Sequence, residues 1–457
     1  MSKMNRRTFL KALGATVAAG STAAGSAPLF AQKNPHVAVV GGGVGGATLA
    51  KYLKIYAPSI DVTIIEPKTK YQRPYGSSEV ITGHETMDDI TISYDNLRDR
   101  YGVKFIHDTV TVIDHAGHKL HTAGGRTVSY DRVVVAPGIS FDYSQIEGLD
   151  SEADARAKGI VHGWDAGEDL LTLKAQLEAM PKNGTAIVVP PPNPYRCPPG
   201  PYERAGLLAQ WLEERGDDAA KVIVLDSKNG FTTDVTMLQA WNRLYKFNLP
   251  EQAKGLYTEE QLATFKHHEG EPKVDWIMGV MGGKVTRIDA ENMIVETEGA
   301  GTFKADMINY IPPLKAGRVA LENDLADETG WCPVDPITFE STRHADVHVI
   351  GDACIAGAMP KSGYAANSQG KVLAVQLKAL LLGGEIQTPV YQNTCYALAG
   401  NTDYGMFVAD VFRVKDGKIV RVDAQRYLPF DAEPHMFSMA ATYQQAWMKA
   451  FTKDVFG

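Results

Sequence analysis

Gly41, Gly43 and Gly46 stand in GxGxxG spacing, directly after the apolar run Val37-Ala38-Val39-Val40 and directly before the helix-like stretch ATLAKYLKIYA. Glycines let a backbone bend sharply and approach a pyrophosphate, whose charge is met by free N–H groups and the positive end of the following helix. Twenty residues past Gly46 the next apolar strand, DVTIIE, ends in Glu66, an acid placed to take a ribose hydroxyl pair. A lone GxGxxG is a weak signal. Strand, turn, helix, strand and acid in this order predict a bound dinucleotide.

Two further segments identify that dinucleotide as FAD. YDRVVVAPG, ending at Gly138, is a buried strand closed by a small-residue turn, and HADVHVIGDAC is a strand ending in Gly351-Asp352. In flavoproteins with two dinucleotide folds, the corresponding aspartate holds the ribityl chain and phosphate. The helix that follows, KSGYAANSQGKVLAVQLKALLL, would aim its N-terminus at the flavin and stabilise negative charge on the reduced ring.

The second half repeats the skeleton: TAIVVP, then PYERAGLLAQWLEERG, then KVIVLD ending at Asp226. Where phosphate-binding glycines should lie, the chain reads PPPNPYRCPPGP, with seven prolines in twelve residues. Proline removes N–H donors and stiffens the backbone, the opposite of a phosphate cradle. This domain is therefore read as a scaffold without NAD(P)H.

The cysteines are Cys197, Cys332, Cys354 and Cys395, with no CxxC and no metal-ligand spacing among them or the twelve histidines. No metal site is expected. No CxxCH occurs either, so a haem would have to sit on a partner. Cys197 and Cys332 both lie in proline-rich, sharply turned surroundings that hold thiols rigidly, as a reactive pair or as a structural staple. Cys354 and Cys395 are expected to be small buried thiols.

At 457 residues and 44% apolar content the chain can bury a large core and divide into two or three domains. Its start, MSKMNRRTFLKALGATVAAGSTAAGSAPLFAQ, has paired arginines Arg6 and Arg7, a mildly apolar stretch and a small-residue stop near Ala31. That pattern predicts a twin-arginine export signal over residues 1–31 and a periplasmic protein exported already folded, with its FAD loaded. Cleavage would remove Lys3, Arg6, Arg7 and Lys11 and take the formal charge from −8 to −12, which argues against nucleic acid as a partner. No stretch reaches the length of uncharged apolar sequence needed to span a membrane.

Four segments, RCPPGPYERA, GWCPVDP, MPKSGYAANSQGK and NTCYALAG, together resemble the flavoprotein subunit of flavocytochrome c sulfide dehydrogenase, and the likeness runs from about residue 33 to the C-terminus. The resemblance implies a glutathione-reductase-like fold, a redox-active disulfide over the flavin, and a c-type cytochrome subunit as electron acceptor. It places that disulfide on Cys197 and Cys332, with Cys332 as the flavin-adjacent thiolate and Cys197 as the persulfide-bearing sulfur. Glu203 matches a family acid near the disulfide and would shuttle protons. Trp447 matches a tryptophan near the flavin. Some members attach FAD covalently through a cysteine in a segment like TCYLSNEVIGG. Here the segment is RPYGSSEVITG, with Pro74 in the cysteine's place, so FAD is expected to be held non-covalently.

The resulting fold class is α/β: two Rossmann-like dinucleotide-binding domains plus a C-terminal interface domain. Residues 33–148 and 301–380 are assigned to the FAD-binding domain, 149–300 to the second Rossmann-like domain and 381–457 to the interface domain. The polar helical stretch beginning at Trp241 is expected to cover the site. The implied function is periplasmic sulfide oxidation to sulfur or polysulfide, with electrons passed to a cytochrome c. The alternatives are a sulfide:quinone-type enzyme and an auxiliary flavoprotein of a thiosulfate-oxidising (Sox-type) system.

Overall fold

The computed structural model describes residues 34–400, 404–423 and 427–457, of which Pro35 onward form one compact unit. The expected export signal, residues 1–31, lies outside the described residues.

The first glycine turn sits where its neighbours predict. Strand β1 (His36–Val40) runs into helix α1 (Val44–Tyr56), and β2 (Asp61–Ile65) returns beside β1. With β3 (Lys104–Ile106), β4 (Arg132–Val135) and β12 (Val347–Val349) they form a parallel sheet in the order β12-β4-β1-β2-β3. Val37, Val39, Val62, Ile64, Val133 and Val135 are at most 1% exposed, so both faces of the sheet are covered. Each such side chain stabilises the fold by roughly 1.5–3 kcal/mol. The chain leaves β1 to opposite sides, and the crevice outside the carboxyl ends of the strands opens at that reversal.

A second parallel sheet is built from β6 (Thr185–Val189), β7 (Lys221–Leu225), β8 (Val274–Ile277) and β9 (Met307–Tyr310), in the order β8-β7-β6-β9. The expected return to the FAD domain at residue 301 is therefore too early. Met307–Tyr310 pairs with β6 and completes the second sheet, because a strand buried on both faces needs a partner along each edge it can reach. The crossing back comes with β5 (Ile139–Phe141) against β10 (Leu314–Ala316).

The turn of the second domain has become a structural plug. The carboxylate of Asp226, at the end of β7, is fully buried and accepts hydrogen bonds from Tyr202, from Trp276 Nε1 at 3.2 Å and from Lys228 Nζ at 2.7 Å. Tyr202 in turn stacks on Phe231. An acid that could have met a ribose is spent on the protein's own donors.

The C-terminal part pairs β14 (Val390–Leu398), β15 (Gly405–Lys415) and β16 (Lys418–Arg421) in an antiparallel sheet, closed by helix α6 (Pro434–Phe456). No helix among the described residues is long and apolar enough to cross a membrane.

Candidate functional site

A cavity of about 520 Å³ opens at the carboxyl ends of β1, β2 and β4 and reaches the C-terminal sheet. Gly41, Gly43, Glu66, Gly138, Gly351 and Asp352 all line it. Gly41 has φ +101°, and a Cβ there would stand 2.4 Å from the Ala136 carbonyl oxygen. Gly46 lies one turn into α1, where a Cβ would meet the Gly41 carbonyl at 2.0 Å, so this glycine sets the close packing of turn and helix rather than facing the cavity. The Glu66 carboxylate accepts from Gly42 N at 2.8 Å and from Lys68 N at 3.0 Å, which holds the acid at the rim.

Opposite, helix α5 (Gly363–Leu382) presents its N-terminus to the cavity through Ser362 and Gly363. Ser362 caps the helix by accepting from Ala365 N at 3.0 Å. Asp352 Oδ2 lies 3.9 Å from Arg196 Nη1, while its Oδ1 is buried with no partner in the chain. Burial raises the Asp352 carboxyl above the usual range, and Arg196 and Lys361 oppose that rise. Trp164 Nε1 and Trp447 Nε1, on two more cavity residues, are also buried without a partner. A glycine turn at a helix N-terminus, an acid at a strand end, orphaned polar atoms and a second helix N-terminus fit FAD. The phosphates would lie on Gly41 to Gly43 and the ring toward Ser362. Pro74 lines the same cavity and carries no nucleophile.

The cavity also holds two of the four cysteines, Cys197 and Cys395. Helix α4 (Gly200–Glu214) begins three residues after Cys197, and Glu203 sits in its first turn. Cys197 has a left-handed backbone at φ +57°, a conformation that non-glycine residues seldom adopt, and its N–H donates to the Lys361 carbonyl at 2.9 Å. Strand β14 delivers Cys395 to the same cavity, and Leu398 N on that strand donates to Glu203 Oε1 at 2.6 Å. Helix and strand are thereby tied together at the site.

Cys332 is not among the residues that line the cavity. It lies in β11 (Cys332–Pro333), in register with Cys354 of β13 (Cys354–Ile355), and is fully buried. Of the three other cysteines, Cys395 lines the cavity together with Cys197. All four cysteines are free thiols here. Cys395 lies in NTCYALAG, one of the four segments that carry the family resemblance, and that signal was available in the sequence. The stretch after Trp241 is corrected. Trp241 is fully buried in the second domain's core, and none of the stretch lines the cavity.

Burial pushes the Cys197 thiol far up, and Glu203 and Cys395 push it further. Cys395 is pushed up to about 11, again chiefly by burial. Protonated thiols are poor nucleophiles and poor electron donors, so a base beside them is required. Burial, then the charge of Glu79, pushes the Glu203 carboxyl up to about 8. Under it, Arg204 is fully buried and donates to the His162 carbonyl at 2.8 Å, the Gly163 carbonyl at 2.9 Å, Asn309 Oδ1 at 2.9 Å and Ser77 Oγ at 3.1 Å. Such charged hydrogen bonds contribute about 1.5–3 kcal/mol each and lock α4 to the strands around it. Trp447 stacks on Phe451 at 5.1 Å and approaches Tyr396, the neighbour of Cys395, at 5.6 Å. Among the described residues no cluster of His, Cys, Asp or Glu could hold a metal ion.

Comparison with known proteins gives the family and the fold. The family models described as the central part of the sulfide dehydrogenase (flavocytochrome c) flavoprotein chain, as flavocytochrome c sulphide dehydrogenase, flavin-binding, and as pyridine nucleotide-disulphide oxidoreductase match residues 170–312, 387–456 and 35–178. The sulfide dehydrogenase (flavocytochrome c) flavoprotein chain of Chlorobaculum thiosulfatiphilum is 63% identical over 36 residues, which are 8% of this chain and 75% of that sequence. The mitochondrial sulfide:quinone oxidoreductase of Mus musculus is 25% identical over 330 residues, 70% of this chain and 66% of the mouse protein, just short of two thirds of its length. Among solved structures, the sulfide:quinone oxidoreductase of Aquifex aeolicus superposes with a TM-score of 0.67 at 17% identity, over 92% of this chain and 91% of that one, a likeness of fold.

Proposed function

This chain belongs to the family of flavocytochrome c sulfide dehydrogenase flavoprotein chains, and on that premise we propose that it oxidises sulfide and passes the electrons, through bound FAD, to a c-type cytochrome. The observation that carries the reading is the meeting of Cys197, Cys395 and Glu203 at one end of a cavity whose other end has the features of an FAD site.

The working form has Cys197 and Cys395 joined as a disulfide. Hydrosulfide attacks the Sγ of Cys197. A new sulfur–sulfur bond forms there as the Cys197–Cys395 bond breaks, and Cys395 leaves as a thiolate. The proton of the attacking hydrosulfide goes to the Glu203 carboxylate, held in place by Leu398 N. FAD supplies the acceptor for the two electrons. Each hydrosulfide thus loses one proton and two electrons and becomes sulfane sulfur. Trp447, Phe451 and Tyr396 form an aromatic group on the cavity wall. The family and the lack of CxxCH in this sequence support a haem carried by a partner. The twin-arginine pattern supports a periplasmic protein, exported folded with its FAD, and a fusion to a reporter that works only after folded export tests that reading: failure of the wild type, or survival of export when Arg6 and Arg7 become lysine, would remove it.

Anaerobic mixing of the holoprotein with sulfide is expected to bleach the flavin band and then, on addition of oxidised cytochrome c, to reduce the cytochrome. A flavin band untouched by sulfide would overturn the proposal. With Pro74 in place of a cysteine, FAD is held without a covalent bond, so acid precipitation is expected to leave the yellow colour in the supernatant. Flavin carried down with the protein would show a linkage elsewhere.

A further inference from the structure

We propose that Glu79 is a relay residue that takes the proton from Glu203 and delivers it to a second cavity on the other side of the site. The inference rests on the reading of Glu203 as the base for hydrosulfide and extends it to where the proton goes.

The second cavity measures about 740 Å³ and is walled by His84, Glu85, Asp89 and Lys449 among others. Three residues, Glu79, Gln444 and Met448, line both it and the flavin-side cavity. Of the three only Glu79 can carry a proton as an acid. Its position follows from the chain: helix α2 (Ser77–Thr82) lies between the two cavities, with Ser77 and Ser78 held by Arg204, so the carboxyl of Glu79 stands in the partition, 8% exposed.

The groups around Glu79 favour exchange over a permanent charge. Arg73 lies nearby, but its guanidinium is bound to Glu85 at 2.7 Å, on the side of the second cavity. Helix α4 contributes Glu203 and Arg204, and Arg204 is already occupied by carbonyls and hydroxyls. Gln444 of α6 hydrogen-bonds the Glu79 carboxyl, and Lys174 of helix α3 (Asp169–Ala179) lies beside Gly83, at the end of α2. Burial raises the Glu79 carboxyl and Glu85 raises it further, while Glu79 is the charge that most raises Glu203 after burial itself. Two buried carboxyls that repel each other share a proton rather than both ionising. When hydrosulfide gives its proton to Glu203, the pair holds one proton too many, and the surplus leaves from Glu79 toward the second cavity, where Glu85 and His84 can receive it. Atoms balance: one S–H bond breaks and one proton moves between carboxylates, with no change of oxidation state in the relay.

The test is stopped-flow reduction of the holoprotein flavin by sulfide, with hydrosulfide held constant from pH 6 to 9 and buffer kept dilute. Glu79→Gln keeps the shape and the hydrogen bond to Gln444 but cannot titrate. It is expected to slow reduction by about tenfold or more, to flatten the pH dependence, and to be rescued by a small mobile buffer such as imidazole. A structural role alone would not produce buffer rescue. Glu79→Asp retains a titrating group and is expected to keep the pH dependence at a lower rate, so it carries the test if Glu79→Gln loses FAD. Wild-type rate and pH profile in both variants would overturn the relay and leave the sulfide reading intact. A wild type that sulfide does not reduce would overturn the sulfide reading, and the relay with it.

Discussion

Cys395→Ser is expected to slow the bleaching of the flavin by sulfide by about 10³-fold or more, the order of effect seen when a covalent catalytic group is removed. Cys197→Ser should fall as far, and the double variant no further, because the two sulfurs act as one unit and either loss destroys the disulfide. Cys332→Ser should bleach near the wild-type rate. Its thiol, pushed up to about 12 by burial and then by Cys354, is fully enclosed, and Cys332 does not line the cavity. Stopped-flow absorbance with equal FAD content in all three proteins makes the comparison. A Cys332 variant as slow as the Cys395 variant would return the redox role to Cys332 and remove it from Cys395.

The second large effect concerns Glu203. As the proton acceptor it must be ionised, and with its carboxyl pushed up to about 8 the reductive rate should climb as pH rises through that region. The sign is that of a base: below this range the carboxyl already carries a proton and cannot take another. Glu203→Gln is expected to lose about 10²- to 10⁴-fold and to flatten the rise, while binding FAD as before, since Glu203 meets the chain through Leu398 rather than through the glycine turn. The measurement is flavin reduction at constant hydrosulfide against pH. A variant that keeps the full slope would assign the titration to another group.

These two predictions separate what is local in the chain from what is not. The phosphate turn was legible because its parts are contiguous: strand, glycines, helix, strand and Glu66 follow one another, and each constrains the next through backbone geometry alone. The loss of the matching turn was equally legible, since prolines remove donors wherever they stand. Asp352 was reached by the same route, as a strand end followed by a helix. Gly46 shows the limit of that reading. The motif names it, and the structure assigns it to the packing of turn on helix.

The sulfur pair was a different matter. Cys197, Cys332 and Cys395 are far apart in sequence, and local surroundings ranked Cys332 above Cys395 because it shares proline-rich turns with Cys197. Residue type, periodicity and turn chemistry determine which segments become strands and helices and which nucleotide they cradle. They do not determine which distant strand end lies across a cavity from Cys197. The place of Cys395 in the cavity comes from the packing of the antiparallel C-terminal sheet onto helix α4, fixed by the Leu398–Glu203 hydrogen bond. The partition formed by Glu79 is of the same kind: a six-residue helix in the sequence becomes a wall between two cavities only when Arg204 draws it against the second domain. Local backbone preferences act within a few residues, whereas the proximity of these groups is set by long-range packing, and only the folded chain expresses it.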